Sequence, residues 1–164
     1  MERVFVIGES AGAFLAEYSV AAEKSGLLRE MYGITPSGIN IHGVVFFSGM
    51  FYTTRIDLVG LVYSKDLYGK KLKDKRFKAL TDPEDPEIMD NLPPVFMTSS
   101  RGDFLRNYTI RYAGALLKRK HSCETVYLKK AGHLRHAFVS VEPELSESIG
   151  TIKKMIRWMR GIVV

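Results

Sequence analysis

Apolar runs and segments of helical periodicity alternate along the first part of the chain. Arg3 to Ile7 is a β-branched and aromatic run that stops at Gly8, which is typical of a short buried strand. From about Ala11 to Lys24 the apolar residues recur at helical spacing, and Ser25-Gly26 predicts the end of that helix. The nearly continuous apolar run from Ile41 to Phe47 predicts a second strand, buried on both faces.

The same alternation returns in the last part of the chain. Val95 to Thr98 predicts a third strand, about Leu105 to Lys120 a helix, and Thr125 to Leu128 a fourth strand. A C-terminal helix is expected to turn one apolar face to the core, made of Ile149, Ile152, Ile156 and Met159. This order favours an α/β fold with a mostly parallel sheet of about four strands flanked by helices.

The segment between the second and third predicted strands has a weaker pattern. Residues 48–80 mix aromatic and basic residues, and we expect irregular structure and short helices there, as a variable, cap-like excursion. Residues 81–94 are rich in proline and acidic residues and predict a loop. No internal repeat divides the chain, so residues 1–164 are expected to form a single domain.

The composition excludes several classes of protein. Hydrophobic residues make up 46% of the chain and charged residues 26%, which is not typical of disordered, collagen-like or coiled-coil proteins. No stretch approaches the roughly 20 apolar residues of a membrane span. The apolar run near the N-terminus stops at Gly8 and Glu9, so we predict no signal peptide.

The net charge of +6 is unevenly distributed, with six basic residues among the nine at 70–78. Such a patch could bind nucleic acid or another anionic surface. No nucleic-acid-binding motif accompanies it, so a solvated loop and helix face is the preferred interpretation and no nucleic-acid partner is predicted.

Cys123 is the only cysteine, so an intrachain disulfide cannot form, which is consistent with a cytoplasmic location. His121 lies two residues before it, but one cysteine and one histidine do not make a metal site. We expect neither a metal ion nor an organic cofactor.

The strongest chemical signal is the pentapeptide Gly8-Glu9-Ser10-Ala11-Gly12, which matches G-x-S-x-G. It lies between a predicted strand and a predicted helix, where a nucleophile elbow is found. Glycines on both sides of the serine are expected to remove Cβ atoms that would clash in so sharp a turn. The serine oxygen would then lie beside a helix N-terminus, which favours negative charge.

A serine hydroxyl needs a base, and the base needs an acid that orients it. Asp103 follows the third predicted strand and is the candidate acid, although it could instead cap the helix that follows. His133 and His136 both follow the fourth strand. His136 is preferred as the base because Ala137 and Phe138 behind it allow tight packing, whereas His133 is interpreted as a loop histidine.

These features resemble the α/β-hydrolase family, and within it the esterases and lipases related to hormone-sensitive lipase. Three segments carry the resemblance: the pentapeptide, Leu92-Pro93-Pro94-Val95-Phe96 leading to Asp103-Phe104-Leu105-Arg106, and His136-Ala137-Phe138. The resemblance covers nearly the whole chain but only the C-terminal half of the family's fold. It implies a serine hydrolase that acts on small carboxylic esters through Ser10, His136 and Asp103 and an acyl-enzyme intermediate.

The resemblance also implies an oxyanion hole, with the Ala11 N–H as one donor and an upstream His-Gly-Gly-type loop supplying the rest. No such loop occurs in this sequence, and losing one oxyanion donor typically costs about 10²- to 10³-fold in rate. Residues expected to contact the substrate are Glu9, Phe51, Tyr52 and Tyr63. A thioesterase or a peptidase would use the same three residues.

In the family the first strand would have a neighbour on each side. Here one edge is expected to be bare, and Val4 to Ile7 could then pair with a second copy or with a complementing N-terminal half. An apparently truncated chain suggests an alternative function, a catalytically inactive hydrolase fragment or interaction module that needs such a complement.

Overall fold

A computed structural model describes residues 3–162 of the chain. Its four strands are β1 (Val4–Glu9), β2 (Ile41–Phe47), β3 (Val95–Ser100) and β4 (Cys123–Leu128). They form one sheet in the order β1-β2-β3-β4, and every neighbouring pair is parallel. The predicted α/β fold with a parallel four-stranded sheet is therefore confirmed.

Helices connect and flank the strands. The α-helices are α1 (Ala11–Lys24), α2 (Gly26–Tyr32), α3 (Leu58–Tyr68), α4 (Lys75–Ala79), α5 (Pro86–Met89), α6 (Arg106–Lys118), α7 (Phe138–Val141) and α8 (Ser146–Gly161). A 3₁₀-helix, Gly69–Lys73, joins α3 to α4. No helix among residues 3–162 is both long enough and apolar enough to cross a membrane.

The sheet separates two hydrophobic clusters, and the alternation of side chains along β2 shows how. Val44 and Phe46 belong to the cluster formed with α1 and α6, whereas Val45 and Phe47 belong to the cluster formed with α8. Because successive side chains of a strand point to opposite faces, an all-apolar strand supplies both clusters. This is the physical reason for the continuous apolar run in the sequence.

The buried face of α8 agrees with the predicted one only in part, since Ile152 and Met159 are half-buried against the core. Its buried residues are Ser148, Thr151, Met155 and Trp158, while Ile149 and Ile156 are 42% and 39% exposed. The Trp158 ring packs against Phe5 and Phe96, with ring centroids 6.0 and 5.6 Å apart. The indole also lies over Gly43, where a Cβ would be only 2.8 Å from it. One large ring therefore sets the rotation of the helix.

Two local predictions needed correction. Ser25 ends α1, but its hydroxyl also accepts a hydrogen bond from the Leu28 N–H, so the predicted stop is at the same time the N-cap of α2. The predicted acidic loop contains α5, which Asp85 caps and Pro86 begins.

The excursion at 48–80 contains the expected short helices, but it also contains an α-helix of 11 residues, α3. Within the described residues 3–162, Gly60 is the only buried residue of α3. Several of the apolar side chains of this helix are therefore exposed: Leu58, Leu61, Val62 and Leu67.

The strand β1 lies at the edge of the described sheet. It pairs with β2 on one side, and Val4 and Ile7 are 38% and 50% exposed. The predicted bare edge is thus present within residues 3–162. Whether it pairs with another chain stays a prediction.

Candidate active site

The turn that follows β1 presents Ser10 at the carboxyl edge of the sheet. Ser10 has φ of 54° and ψ of −120°, a conformation that residues with a Cβ rarely adopt. Its N–H donates to the Phe47 carbonyl (3.0 Å), and its carbonyl accepts from the Ala13 N–H (3.1 Å) as α1 begins. The backbone thus holds the serine in a strained position.

The two glycines of the pentapeptide have different roles. A Cβ at Gly8 would lie 2.4 Å from the Gly12 carbonyl oxygen and 2.7 Å from the Ala13 Cα, so only glycine fits there. A Cβ at Gly12 would meet nothing within 4 Å among the described residues. The predicted steric need for glycine therefore holds at Gly8 and is wrong at Gly12.

Asp103 lies in the turn after β3, and its side chain is fully buried. One carboxylate oxygen accepts from the Leu105 N–H (2.9 Å) and bonds to His136 Nδ1 (2.9 Å), while the other accepts from the Ser99 hydroxyl (2.8 Å). Of the two alternatives considered for Asp103, the structure shows the bond to the histidine, whereas the bond to the Leu105 N–H lies one residue before α6 and no side chain caps that helix.

Burial raises the pKa of the Asp103 carboxyl, but hydrogen bonds outweigh that effect. The donors are His136, the Leu105 N–H, Ser99 and Ser48, and together they hold the pKa below its ordinary value of 3.8. Asp103 is therefore an anion at neutral pH, and an ionised carboxylate only accepts hydrogen bonds. The Nδ1 atom of His136 must then carry the proton of that bond.

His136 joins Asp103 to Ser10. Its Nε2 lies 2.8 Å from Ser10 Oγ, and with the proton on Nδ1 this nitrogen can accept a hydrogen bond from the Ser10 hydroxyl. The Phe104 ring packs against the imidazole, with centroids 4.5 Å apart. His133, the rejected alternative, lies 3.6 Å from the Glu147 carboxylate instead.

The fold agrees with comparisons to known proteins. Residues 1–137 match the sequence profile of a family described as alpha/beta hydrolase fold. The chain belongs to the α/β-hydrolase family. Comparison with curated protein sequences gave no match.

Among solved structures, esterase B from Lactobacillus rhamnosis with a tributyrin phosphonate superposes with a TM-score of 0.86 at 20% identity, over 98% of this chain and 52% of that one. A fungal esterase from Rhizomucor miehei gives 0.58 at 20% identity, over 96% and 51%. An acylaminoacyl peptidase from Pyrococcus horikoshii gives 0.69 at 15% identity, over 98% and 24%. At these identities the similarity establishes the fold. This α/β-hydrolase chain spans about half the length of the esterases.

The loop that carries His136 is fastened to β3 by contacts that the sequence analysis missed. The Ser100 hydroxyl donates to the Leu134 carbonyl (2.5 Å). A Cβ at Gly102 would lie 2.4 Å from the Leu134 oxygen and 2.5 Å from the Gly132 oxygen, so the close approach of this loop requires glycine. The Ser-Ser-Arg-Gly stretch before Asp103 offered no recognisable signal for this role.

Two predicted residues flank Ser10 in the elbow. Ala11 is the first residue of α1, and the N–H groups at a helix start have no acceptor within the helix, so its N–H is available to a ligand. One carboxylate oxygen of Glu9 accepts from the Ser140 hydroxyl, and the other is buried without a hydrogen-bond partner among the described residues. Glu9 therefore links the elbow to α7, and its contact with substrate stays a prediction.

The three aromatic residues predicted to contact the substrate lie in different environments. Phe51 is fully buried against Phe46 and Tyr112, so no part of its ring is accessible and that prediction is wrong. Tyr52 is 3% exposed; its hydroxyl donates to Glu84 (2.8 Å), and its ring is stacked with the Arg111 guanidinium. Tyr63 lies on α3 and is 47% exposed.

An open depression of about 520 Å³ lies beside His136. It is lined by Gly102, Phe104, Gly132, His133, Arg135 and His136. Its wall includes Phe104, which is 68% exposed, so an apolar group could pack there next to the imidazole. The sequence pattern gave no indication of this contact. Residues 3–162 contain no group of three or more His, Cys, Asp or Glu side chains that could hold a metal ion.

Proposed function

We propose that this chain carries the catalytic residues of a serine hydrolase that acts on carboxylic esters. The observation that supports the proposal most directly is the continuous hydrogen-bonded chain from Ser10 Oγ to His136 Nε2 (2.8 Å) and from His136 Nδ1 to Asp103 (2.9 Å). Its members come from three separate loops at one edge of the sheet. Nucleophile, base and orienting acid in this order can activate a serine hydroxyl.

In the proposed reaction, Ser10 Oγ attacks the ester carbonyl carbon while His136 Nε2 takes the hydroxyl proton. The carbonyl oxygen becomes an oxyanion, and the Ala11 N–H at the positive end of α1 binds it. The tetrahedral intermediate then breaks its bond to the alcohol, which leaves with the proton from His136. Water, activated by the same imidazole, hydrolyses the acyl-Ser10 ester and restores the free serine.

An ester substrate is also favoured by the structural neighbours, which include esterase B from Lactobacillus rhamnosis with a tributyrin phosphonate. The depression beside His136, with the exposed Phe104 ring, would receive an apolar part of the ester.

Labelling by a fluorophosphonate probe tests the proposal. The folded chain should be labelled at Ser10, located by mass spectrometry, and should hydrolyse p-nitrophenyl butyrate. The Ser10→Ala variant is the control and should do neither. An absence of labelling in a sample with native-like circular dichroism would refute the proposal that this site is catalytically active. Faster cleavage of an N-acylamino acid p-nitroanilide than of the ester would assign a peptidase instead.

A second candidate function follows from the length of the chain relative to its neighbours. It covers 52% of the esterase B chain, and β1 lies at the sheet edge with Ile7 half exposed. We propose as the alternative an inactive unit that acquires activity when a complementing chain adds a strand to β1. Adding a polypeptide that covers the remaining half of the esterase fold should then induce labelling of Ser10. Labelling that is equally fast without it would contradict the alternative.

A further inference from the structure

The two loops that hold Asp103 and His136 carry an excess of positive charge. Residues 101–106 run from the end of β3 into α6, and residues 129–137 connect β4 to α7. Their one carboxylate, Asp103, is fully buried and bonded to His136. Against it stand five cationic side chains: Arg101, Arg106, Lys129, Lys130 and Arg135. The loops around the candidate site therefore present positive charge at the carboxyl edge of the sheet.

These five cations are not neutralised by neighbouring side chains. The ion pairs formed within residues 3–162 involve none of them. Arg106 is partly buried, and the other four are exposed. An exposed cation without an anionic partner is available to an anion of a ligand. Several such cations together raise the concentration of anionic ligands near a site.

The carboxylates near the site do not cancel this charge in the depression beside His136. Glu147 lies 3.6 Å from the imidazole of His133, and Glu9 accepts from the Ser140 hydroxyl. Neither glutamate lines the depression, and no aspartate or other glutamate among the described residues does so. Arg135 does line it, and a guanidinium is always charged. The depression therefore has a permanent positive charge in its wall and no negative one.

The same depression also offers an apolar surface. Phe104 is 68% exposed, and its ring centroid lies 4.5 Å from that of the His136 imidazole. Phe104 and Arg135 line one depression of about 520 Å³. A ligand that rests an apolar or aromatic group on Phe104 could thus place an attached anion at the Arg135 guanidinium. This pairing of surfaces suits an amphipathic anion better than a neutral or a cationic group.

The role of His136 indicates which part of an ester would occupy the depression. In the proposed reaction the imidazole gives a proton to the oxygen of the leaving alcohol, so that oxygen must lie beside Nε2. The acyl part is held at Ser10 by its covalent bond. The alcohol part therefore lies on the histidine side, toward the depression that His136 lines.

We propose that this site prefers esters whose alcohol part carries an anionic group on an apolar or aromatic body, with Arg135 binding the anion and Phe104 the apolar body. This inference rests on the proposed serine hydrolase function and names the class of its substrate. Arg135 determines specificity and takes no part in proton transfer or in the attack by Ser10.

Two esters of similar shape and different charge test the preference. The alcohol part of meta-carboxyphenyl butyrate carries a carboxylate, and that of meta-carbamoylphenyl butyrate carries a neutral amide. The measured quantity is the ratio of kcat/KM for the carboxylate ester to kcat/KM for the amide ester. Because the ratio is compared between variants, the intrinsic reactivities of the two esters cancel.

The ratio should depend on the charge at position 135. Arg135→Gln should lower it about two- to fivefold, the effect of one exposed ion pair, and Arg135→Glu should lower it further. Arg135→Lys should keep most of it, since the charge remains. In the wild type the ratio should fall between about 0.01 M and about 1 M ionic strength, because the Debye length shortens from about 30 Å to about 3 Å.

Arg160→Gln is the matched control. Arg160 is also an exposed arginine, but it lies at the other edge of the sheet, where the Arg3 side chain at the start of β1 bonds the Arg160 carbonyl. Removing this charge changes the net charge of the chain by the same amount. The ratio should stay at its wild-type value.

Binding of the product alcohols gives a readout that is independent of turnover. The amide signals of Gly102 and Phe104 in ¹H–¹⁵N spectra should shift when meta-hydroxybenzoate is added. Arg135→Gln should weaken this binding by about the same two- to fivefold factor. The affinity for meta-hydroxybenzamide, which is neutral, should be the same in the wild type and the variant.

The outcomes separate the anion preference from the proposed function. Equal ester ratios in the wild type, Arg135→Gln and Arg135→Glu would overturn the preference, even if Ser10 is labelled by the fluorophosphonate. A fall of the same size in Arg160→Gln would also overturn it, because the effect would then be one of net charge. Binding of meta-hydroxybenzoate that Arg135→Gln weakens, in a chain that no probe labels, would support the anion site while refuting the hydrolase activity.

Discussion

Replacing the buried Glu17 by glutamine should remove a pH dependence of folding that the wild type carries. Glu17 lies on α1 and is completely buried. Neither carboxyl oxygen has a partner of good hydrogen-bond geometry among residues 3–162. Burial raises the pKa of Glu17 well above its ordinary value of 4.5, the nearby Tyr112 hydroxyl offsets this in part, and the charge of Asp82 adds to it.

The sign of the effect follows from which state ionises first. Below pH 4.5 the Glu17 carboxyl is protonated in both the folded and the unfolded chain. At such pH the free energy of unfolding is not reduced by the ionisation of Glu17. Above that pH the unfolded chain loses the proton while the folded chain keeps it. Each unit of pH then lowers the equilibrium constant for folding about tenfold, until the raised folded-state pKa is reached. Two such units amount to about a hundredfold.

Urea denaturation at pH 5, 6, 7 and 8, followed by circular dichroism, measures this dependence. Glu17→Gln keeps the shape of the side chain but cannot ionise, so its stability should fall less steeply with pH than that of the wild type. Its absolute stability is not the test, since an amide without partners also destabilises a core. Glu30→Gln is the control, because Glu30 is exposed on α2 and should leave the slope unchanged. Equal slopes for the wild type and Glu17→Gln would refute the reasoning.

Three further predictions concern the elbow, the sheet edge and the acid. Gly8→Ala should destabilise the chain by about 1–3 kcal/mol in urea denaturation, because its Cβ would lie 2.4 Å from a carbonyl oxygen, whereas Gly12→Ala, with open space, should not. Light scattering should find self-association that Ile7→Lys abolishes, because a charged side chain on an edge strand opposes pairing; a monomeric wild type would contradict this. Asp103→Asn should slow probe labelling of Ser10 by about 10⁴-fold while circular dichroism stays native-like, and labelling at the wild-type rate would remove Asp103 from the array.

Much of the fold could be predicted from local patterns. The bounds of α1 and β2 agree with the sequence-based ones, because a helix with apolar residues at helical spacing and a strand buried on both faces each leave a local signature. The short helix α2 was missed because Ser25 both ends α1 and caps α2. In the sequence, Ser25-Gly26 indicates only the end of a helix. The face of α8 was predicted correctly at Ile152 and Met159 but wrongly at Ile149 and Ile156. The Trp158 ring, which packs on Phe5 and Phe96, decides the rotation of this helix.

By itself the sequence predicted the four strands and the three longest helices, α1, α6 and α8, and it singled out Ser10, Asp103 and His136, which the structure brings within hydrogen-bond distance of one another. A sharp strand-to-helix turn needs glycine at position 8, and parallel strands bring the loops after their carboxyl ends to one edge. Only the tertiary structure decided how these residues are supported. The burial of Phe51, the isolation of Glu17 and the bonds that Ser48 and Ser100 make to the histidine loop depend on segments tens of residues apart. Such contacts form only when the sheet and its helices pack together, so the local sequence pattern does not indicate them.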